Sequence, residues 1–393
     1  TSIGLAAAGS GNIGAFTGVN AGAVPVVATV TVTPVFNGCA GTAQVFTITV
    51  NPTPTLTDPV DQVVCNGAMT TLVTFVGTAG ATYNWTNDNA SIGLAATGSG
   101  NIAAFAATNA GTTPLVATIT VTPQTAGPVC VGTPQVFTIT VNPTPTVVDP
   151  SDQVVCNGAT TTAVNFSGTA TAYNWTNNTP SIGLAASGSG NIGAFAAANA
   201  GATVVVATVT VTPEYTFGAV TCLGTPQVFT ITVNPTPTVV DPTDQTVCNG
   251  ASTALVTFTG AVGGTVFNWT NDNTSIGLAA SGSGNIAAFA GVNTGSAPVT
   301  ATITVTPVFA ACTGTVQTFT ITVNPTPTVV DPADQTVCNG ASTALVTFTG
   351  AVGGTTFNWT NNTPSIGLAA SGAGNIAAFA AVNAGTTTVV ATI

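Results

Sequence analysis

Ala301-Thr302-Ile303-Thr304-Val305 and Gln317-Thr318-Phe319-Thr320-Ile321-Thr322-Val323 alternate apolar residues with threonine. A period of two places Ala301, Ile303, Val305, Phe319, Ile321 and Val323 on one face and the threonines on the other, which is the pattern of half-buried strands. Upstream, Val266-Phe267-Asn268-Trp269-Thr270 sets Phe267 and Trp269 on one side. In residues 254–259, Ala254, Val256 and Phe258 share a face opposite Leu255, Thr257 and Thr259. Gly260-Ala261-Val262-Gly263-Gly264 and Thr270-Asn271-Asp272-Asn273 separate these runs with turn-forming residues. A split first strand near Val239 and 245–247, a short strand near Ile276 and another over 286–290 complete the set. About seven short strands with a Trp on the third predict an all-β, immunoglobulin-like seven-strand sandwich, with a barrel as the alternative. Ala-rich stretches such as Ala287-Ala288-Phe289-Ala290 are short and flanked by Gly, Thr and Asn, so no helix is expected.

This block recurs. Asn-Pro-Thr-Pro-Thr begins at Asn51, Asn142, Asn234 and Asn324, at spacings of 91, 92 and 90 residues. Val-Cys-Asn-Gly-Ala follows the same rhythm, with its cysteines at Cys65, Cys156, Cys248 and Cys338. Ser-Ile-Gly-Leu-Ala-Ala starts at Ser2, Ser91, Ser181, Ser275 and Ser365. Such a period is the size of a domain, so each repeat is expected to fold around its own core. The reading gives complete modules at 51–141, 142–233 and 234–323, the C-terminal part of one at 1–50 and the N-terminal part of another at 324–393. Both ends fall inside a folding unit, and the sequence reads as a window on a longer polypeptide. The two prolines of each linker favour an extended, semi-rigid joint. At ~3.3 Å per strand residue a module spans about 40 Å and the sequence about 170 Å, a linear rod.

Composition narrows the function. Only 3% of residues are charged, and Lys, Arg and His are absent; eleven acids give a net charge of -11. Without cations the chain cannot neutralise phosphates or an anionic membrane surface, which excludes the usual nucleic-acid and polybasic membrane contacts. Without His or Lys, Ser-His-Asp and Cys-His nucleophiles, Schiff bases and His-containing zinc sites are unavailable, so no enzyme is expected. No apolar run reaches the roughly 18 residues of a membrane helix, and no leader resembles a signal peptide. Trypsin has no cationic residue to cut after.

Asp244-Gln245-Thr246-Val247-Cys248-Asn249-Gly250-Ala251, Phe267-Asn268-Trp269-Thr270-Asn271, the string from Ser275 to Ala280 and that from Thr318 to Pro327 resemble the PKD-like, immunoglobulin-type repeats of giant surface proteins of Bacteroidota, including adhesins of the gliding-motility type. The likeness covers the whole chain. It implies type IX secretion, an extracellular, cell-surface location, and work as a filament or stalk. The partners it implies are neighbouring modules of the same chain, other copies, or surface-anchoring machinery.

Several motifs carry a functional and a plain reading. Gly188-Ser189-Gly190-Asn191-Ile192-Gly193 and Gly9–Gly14 fit the dinucleotide fingerprint, but no βαβ unit surrounds them, so they read as loops between strands. The acid pairs Asp58 and Asp61, Asp149 and Asp152, Asp241 and Asp244, Asp331 and Asp334 follow each linker and offer calcium hard oxygen ligands. Two carboxylates are few for that ion, and Asp-Pro steps start ordinary turns, so no cofactor is assigned. Asp88 and Asp272 are replaced by Asn178 and Asn362 in sister copies, so no essential ion depends on them. Trp85, Trp175, Trp269 and Trp359 read as core residues rather than sugar platforms. Asn84-Trp85-Thr86 matches the glycosylation acceptor but lies on a strand. The outward threonines, which also suit an ice-binding face, read as ordinary solvated strand residues.

The eight cysteines fall two to a period, and in a secreted β-protein that regularity argues for disulfides. Pairing within a module joins Cys65 with Cys130, Cys156 with Cys222 and Cys248 with Cys312, and leaves Cys39 and Cys338 over. Pairing across a linker joins cysteines 26 residues apart, such as Cys39 with Cys65. Pairing between modules joins Cys65 with Cys222 and Cys156 with Cys312. In a seven-strand sandwich Cys156 and Cys222 fall at opposite poles, some 30 Å apart, against the roughly 7 Å limit between Cα atoms. Strand counting therefore favours the inter-module pairing, with the within-module set as the alternative. The reading is a stalk that holds or pulls an adhesive tip; its rivals are glycan- or cell-binding modules and a self-assembling sheath or filament.

Overall fold

The computed structural model describes residues 3–393; Ser2, which opens the first Ser-Ile-Gly-Leu-Ala-Ala copy, lies outside them. The described residues contain strands and short 3-10 turns and no α-helix. The chain is a tandem array of immunoglobulin-like β-sandwiches. It divides into two compact units, Thr1–Gln153 with Thr161–Phe195 and Ala207–Ile231, and Val154–Thr160 with Ala196–Val206 and Thr232–Ile393.

The second unit contains the repeat 234–323 entire. Its main sheet runs in the order Cys strand (Gln245–Cys248), last strand (Gln317–Asn324), long strand (Val299–Phe309), Trp strand (Val266–Asn271) and a short strand, Ser281–Ser283. The Cys strand is parallel to the last strand, from Gln245 opposite Ile321 to Cys248 opposite Asn324, and the other neighbours are antiparallel. Cys312–Thr313 folds back on the end of the long strand as a tight hairpin. Alternation decides the core: Ala301, Ile303, Val305, Phe319, Ile321 and Val323 are buried and pack with Trp269, Val256, Phe258 and Ile276. The opposing layer is thin, its segments joined by the isolated bridges Ser252 to Ala290 and Val256 to Ile286 and by single bonds such as Val240 N–H to Thr259 C=O (2.8 Å).

The first unit repeats the plan over 51–141. Gln62–Cys65, Gln135–Asn142, Leu115–Gln124, Thr82–Asn87 and Thr97–Ser99 form a sheet in that order, again with one parallel pair, Gln62 opposite Ile139. Trp85 packs on Ile119, Val121, Phe137 and Ile139. From the next repeat the same unit holds Ala172–Asn177, paired on one side with Ser187–Ser189 and on the other with residues 209–214.

Four details depart from the alternation reading. Residues 286–290 form no strand and carry only the isolated bridges at Ile286 and Ala290. Residues 254–259 do not form a continuous strand; Ala254 is exposed and Thr253 is buried. Side chains replace the ladder there. The Gln245 amide accepts from Ala254 N–H (2.8 Å) and donates to Ala254 C=O (3.2 Å), while Asn285 Oδ1 accepts from Phe258 N–H (2.9 Å). Near Ile276 the expected strand is a 3-10 turn, Thr274–Ile276, started by Asn273, whose side chain accepts from Ser275 N–H, and ended by Gly277 at φ 95°. Ser281–Ser283 is a strand that the pattern of apolar residues does not mark, because its central residue is glycine: a Cβ on Gly282 would run into the indole of Trp269.

Candidate functional site: the poles of the repeats

In the complete repeats the Val-Cys-Asn-Gly string ends the Cys strand at one pole of the sandwich, and the asparagine organises that pole. Asn66 N–H donates to Asn142 C=O (2.9 Å), its Oδ1 accepts from Asn109 N–H (2.8 Å), and its Nδ2 donates to Thr144 Oγ1 of the linker (3.0 Å). Asn157 with Thr236 and Asn249 with Thr326 repeat the linker bond at 3.0 and 3.1 Å. Asn109 is buried and donates to Val141 C=O (2.7 Å) and Thr113 C=O (2.9 Å) while accepting from Gly111 N–H (2.8 Å). The linker is therefore pinned by hydrogen bonds as well as stiffened by proline. Sequence reasoning missed these asparagines; the signal for Asn66 and Asn142 was their place inside two of the recurring strings.

Cys65 is bonded to Cys222, and Cys156 to Cys312, with Cα atoms 5.5 and 5.6 Å apart. The sequence separations are 157 and 156 residues, so each bond reaches from one repeat into the next. The structure brings neither Cys65 to Cys130, Cys156 to Cys222, nor Cys248 to Cys312, and Cys39, Cys130, Cys248 and Cys338 are unpaired. At the first bond a hairpin, Val205–Phe217 turning into Val220–Leu223, delivers Cys222 to the Cys65 pole. Asn142, fully buried there, points its Nδ2 at Phe217 C=O (3.5 Å) and Val220 C=O (3.4 Å), and its Oδ1 has no partner among the described residues. The second bond uses the hairpin of Phe309 and Cys312, whose turn residues Ala310 and Ala311 take φ of 46° and 66°.

The acid pairs lie on the surface. In the three complete repeats the second member of the pair extends the parallel ladder by one bond: Asp61, Asp152 and Asp244 accept from Thr138, Thr230 and Thr320 N–H, each at 2.6 Å. The backbone N–H of Thr230, helped by its side chain, holds the Asp152 carboxyl below its ordinary value. Asp58, Asp149, Asp241, Asp331 and Asp334 are exposed, and among the described residues no three His, Cys, Asp or Glu side chains form a group able to hold a metal. The exchange of Asp88 and Asp272 for Asn178 and Asn362 has a simple cause. All four Oδ1 atoms accept one backbone N–H, from Thr118, Thr302, Thr208 and Thr392.

The Gly-x-Gly strings of the Trp-bearing repeats are Trp cradles. Trp269 Nε1 donates to Gly284 C=O (3.1 Å) and Trp175 Nε1 to Gly190 C=O (3.1 Å), with Gly282 and Gly188 beneath the rings. Asn84 of the Asn-Trp-Thr string is exposed and donates to Gln124 Oε1 (3.1 Å).

No known family matches the sequence, and no curated protein does. Among solved structures the chain is similar to a titin I67–I69 variant at 12% identity and TM-score 0.41, over 69% of this chain and 98% of that one. Immunoglobulin domains 1–5 of Sidekick-1 align at 13% identity and TM-score 0.28, over 70% and 59%. Mouse cadherin-23 EC22–24 aligns at 10% identity and TM-score 0.33, over 70% and 99%. The fold stands on the strands and their order, and these likenesses add no functional argument.

Proposed function

We propose that the chain is a load-bearing segment of an extracellular fibre, a stalk that holds or pulls an adhesive tip at a cell surface, of the kind its resemblance to type IX-secreted Bacteroidota adhesins implies. The observation that carries this reading is the bond from Cys65 of one repeat to Cys222 of the next. Disulfides belong to oxidising compartments, which supports an extracellular place. A staple between repeats resists separation of the joint, and a module that only binds a ligand has no need of it. Near-identical copies with a Thr-covered, almost uncharged surface also suit a repeated mechanical part better than a set of distinct recognition sites.

The two bonds overlap in sequence, so the shortest covalent route between the ends bypasses a large part of the chain. At ~3.4 Å per extended residue, about 600 Å of unfolded length is locked away. Single-molecule stretching before and after a reductant tests this. The stalk reading expects the fully unfolded chain to lengthen by about 600 Å on reduction; an unchanged length would sink it.

A further inference from the structure

Each bonded joint holds its hairpin with little besides sulfur. At the first, Val220–Leu223 pairs with residues 214–217 of its own repeat and with no strand of the Cys65 pole. Among the described residues no backbone hydrogen bond crosses from that hairpin to the pole. The polar contacts that do cross are long: Asn142 Nδ2 reaches Phe217 and Val220 C=O at 3.5 and 3.4 Å, and Cys65 Sγ lies 3.8 Å from Thr221 C=O. Ordinary N–H···O bonds run from about 2.7 to 3.2 Å. The linker bond at the same pole, Asn66 Nδ2 to Thr144 Oγ1, is 3.0 Å. The linker is held without the disulfide, and the hairpin is not.

Cys312–Thr313 likewise joins no ladder at the Cys156 pole, but docking costs less there. Asn142 is fully buried under the first hairpin, and its Oδ1 is the one buried side-chain oxygen without a partner among the described residues. Its equivalent Asn234 is 5% exposed and has no such orphan atom. A buried acceptor without a donor has lost its hydration for nothing, and undocking restores it. The hairpins also differ in support. The first is a ladder of four residue pairs with Phe217 at its tip 46% exposed. The second has two pairs, and its Phe309 is half-buried beside Gly264 of its own repeat.

We propose that Cys65–Cys222 is a redox-released latch, a site of thiol–disulfide exchange with an external dithiol, which opens while Cys156–Cys312 and the repeats stay closed. This rests on the bond that carries the stalk reading and adds a means of regulating it. Cys65 is half-exposed and Cys222 is buried to 3%, so the incoming thiolate attacks Cys65 Sγ. The sulfur–sulfur bond breaks, Cys222 leaves as a thiolate and takes a proton, and a mixed disulfide joins Cys65 to the reductant. The second thiolate of the reductant attacks its own sulfur in that mixed disulfide, releases Cys65 as a thiolate and closes a cyclic disulfide. One protein disulfide becomes two thiols, and one dithiol becomes a disulfide. The hairpin then lifts, Asn142 hydrates, and the joint is left to the linker that Asn66 still pins.

The test uses the chain with Cys39→Ser, Cys130→Ser, Cys248→Ser and Cys338→Ser, its two disulfides first checked by mapped peptides. Native protein is equilibrated in mixtures of reduced and oxidised dithiothreitol and trapped with iodoacetamide. Cys65 and Cys222 are expected to be alkylated at a ratio of reduced to oxidised reagent about tenfold lower than Cys156 and Cys312. Amides of the buried strands, such as Ile139 and Ile231, should keep their protection from hydrogen exchange at that point. Asn142→Leu removes the orphan amide, leaves the backbone C=O for Asn66 N–H, and should move the first midpoint toward the second. Coincident midpoints, Cys156–Cys312 opening first, a Cys222 that stays unalkylated after reduction, or loss of core protection along with the bond would each overturn the proposal. Absence of the Cys65–Cys222 bond from the mapped peptides would end the stalk reading and the latch together, whereas a bond that resists release ends the latch alone.

Discussion

Residues 244–261 and 334–351 have identical sequences, yet they are not equally ordered into the fold. In the complete repeat Gln245–Cys248 is a strand; residues 335–338 are not. Val256 and Phe258 are buried to 6% and 5% exposure, whereas Val346 and Phe348 are half-exposed. Trp269 is buried and Trp359 is half-exposed, although both rings sit over a glycine and donate to the carbonyl fifteen residues on. Local contacts therefore form the Trp cradle, and the long and last strands bury it. The core belongs to non-local pairing.

Substitution of the tryptophans should separate the two most strongly. Trp269→Ala opens a large cavity in a closed core and should cost about 3–5 kcal/mol in denaturant unfolding, with Trp359→Ala costing well under half of that. Equal losses would mean that the long and last strands contribute little to this core. The asparagine pole offers a middle-sized effect. Asn293→Ala removes a buried amide bonded to Ala297 and Val323 carbonyls and should cost about 1–3 kcal/mol. Asn383→Ala, half-buried and bonded to Thr387 C=O, should cost less. Adding a Cβ by Gly282→Ala forces the Trp269 ring against a packed core, at about 1–3 kcal/mol. Gly372→Ala meets the same ring atoms of Trp359, which has room to move, so the milder cost expected there is a direct reading of how loosely the ring is held.

How much of this was legible follows from what pairs with what. The long and last strands could be read residue by residue, because ladder bonds impose a period of two and the buried face is apolar throughout. The thin layer around Thr253 could not, since Gln245 and Asn285 side chains take over its backbone bonds and free the alternation to slip by one. Ile276 looked like a strand residue because it is apolar and buried, and a 3-10 turn buries a lone isoleucine equally well. The cysteine positions carried enough information to rank pairings, because a strand count fixes the pole at which each lies. The asparagine network carried less, since a polar residue in a turn is ordinary until its partners are known.

The smallest expected effect concerns acid. Asp152 has a depressed folded-state pKa, so its contribution to stability is present above the ordinary carboxylate value of about 3.9 and is lost as pH falls through the lower folded value. Asp152→Asn keeps an acceptor for Thr230 N–H and should flatten the acid limb of a melting-temperature profile slightly, while leaving the plateau near neutral pH in place. A variant with an unaltered acid limb would remove Asp152 from the account.

Stapling of each repeat to the next is best tested by digesting the native, unreduced chain with a protease that cuts at aromatic residues and mapping the cross-linked peptides. The account predicts Cys65 joined to Cys222 and Cys156 joined to Cys312. Recovery of Cys156 joined to Cys222 would contradict it, for the bonds would then close single repeats and leave the joints to proline and hydrogen bonds alone.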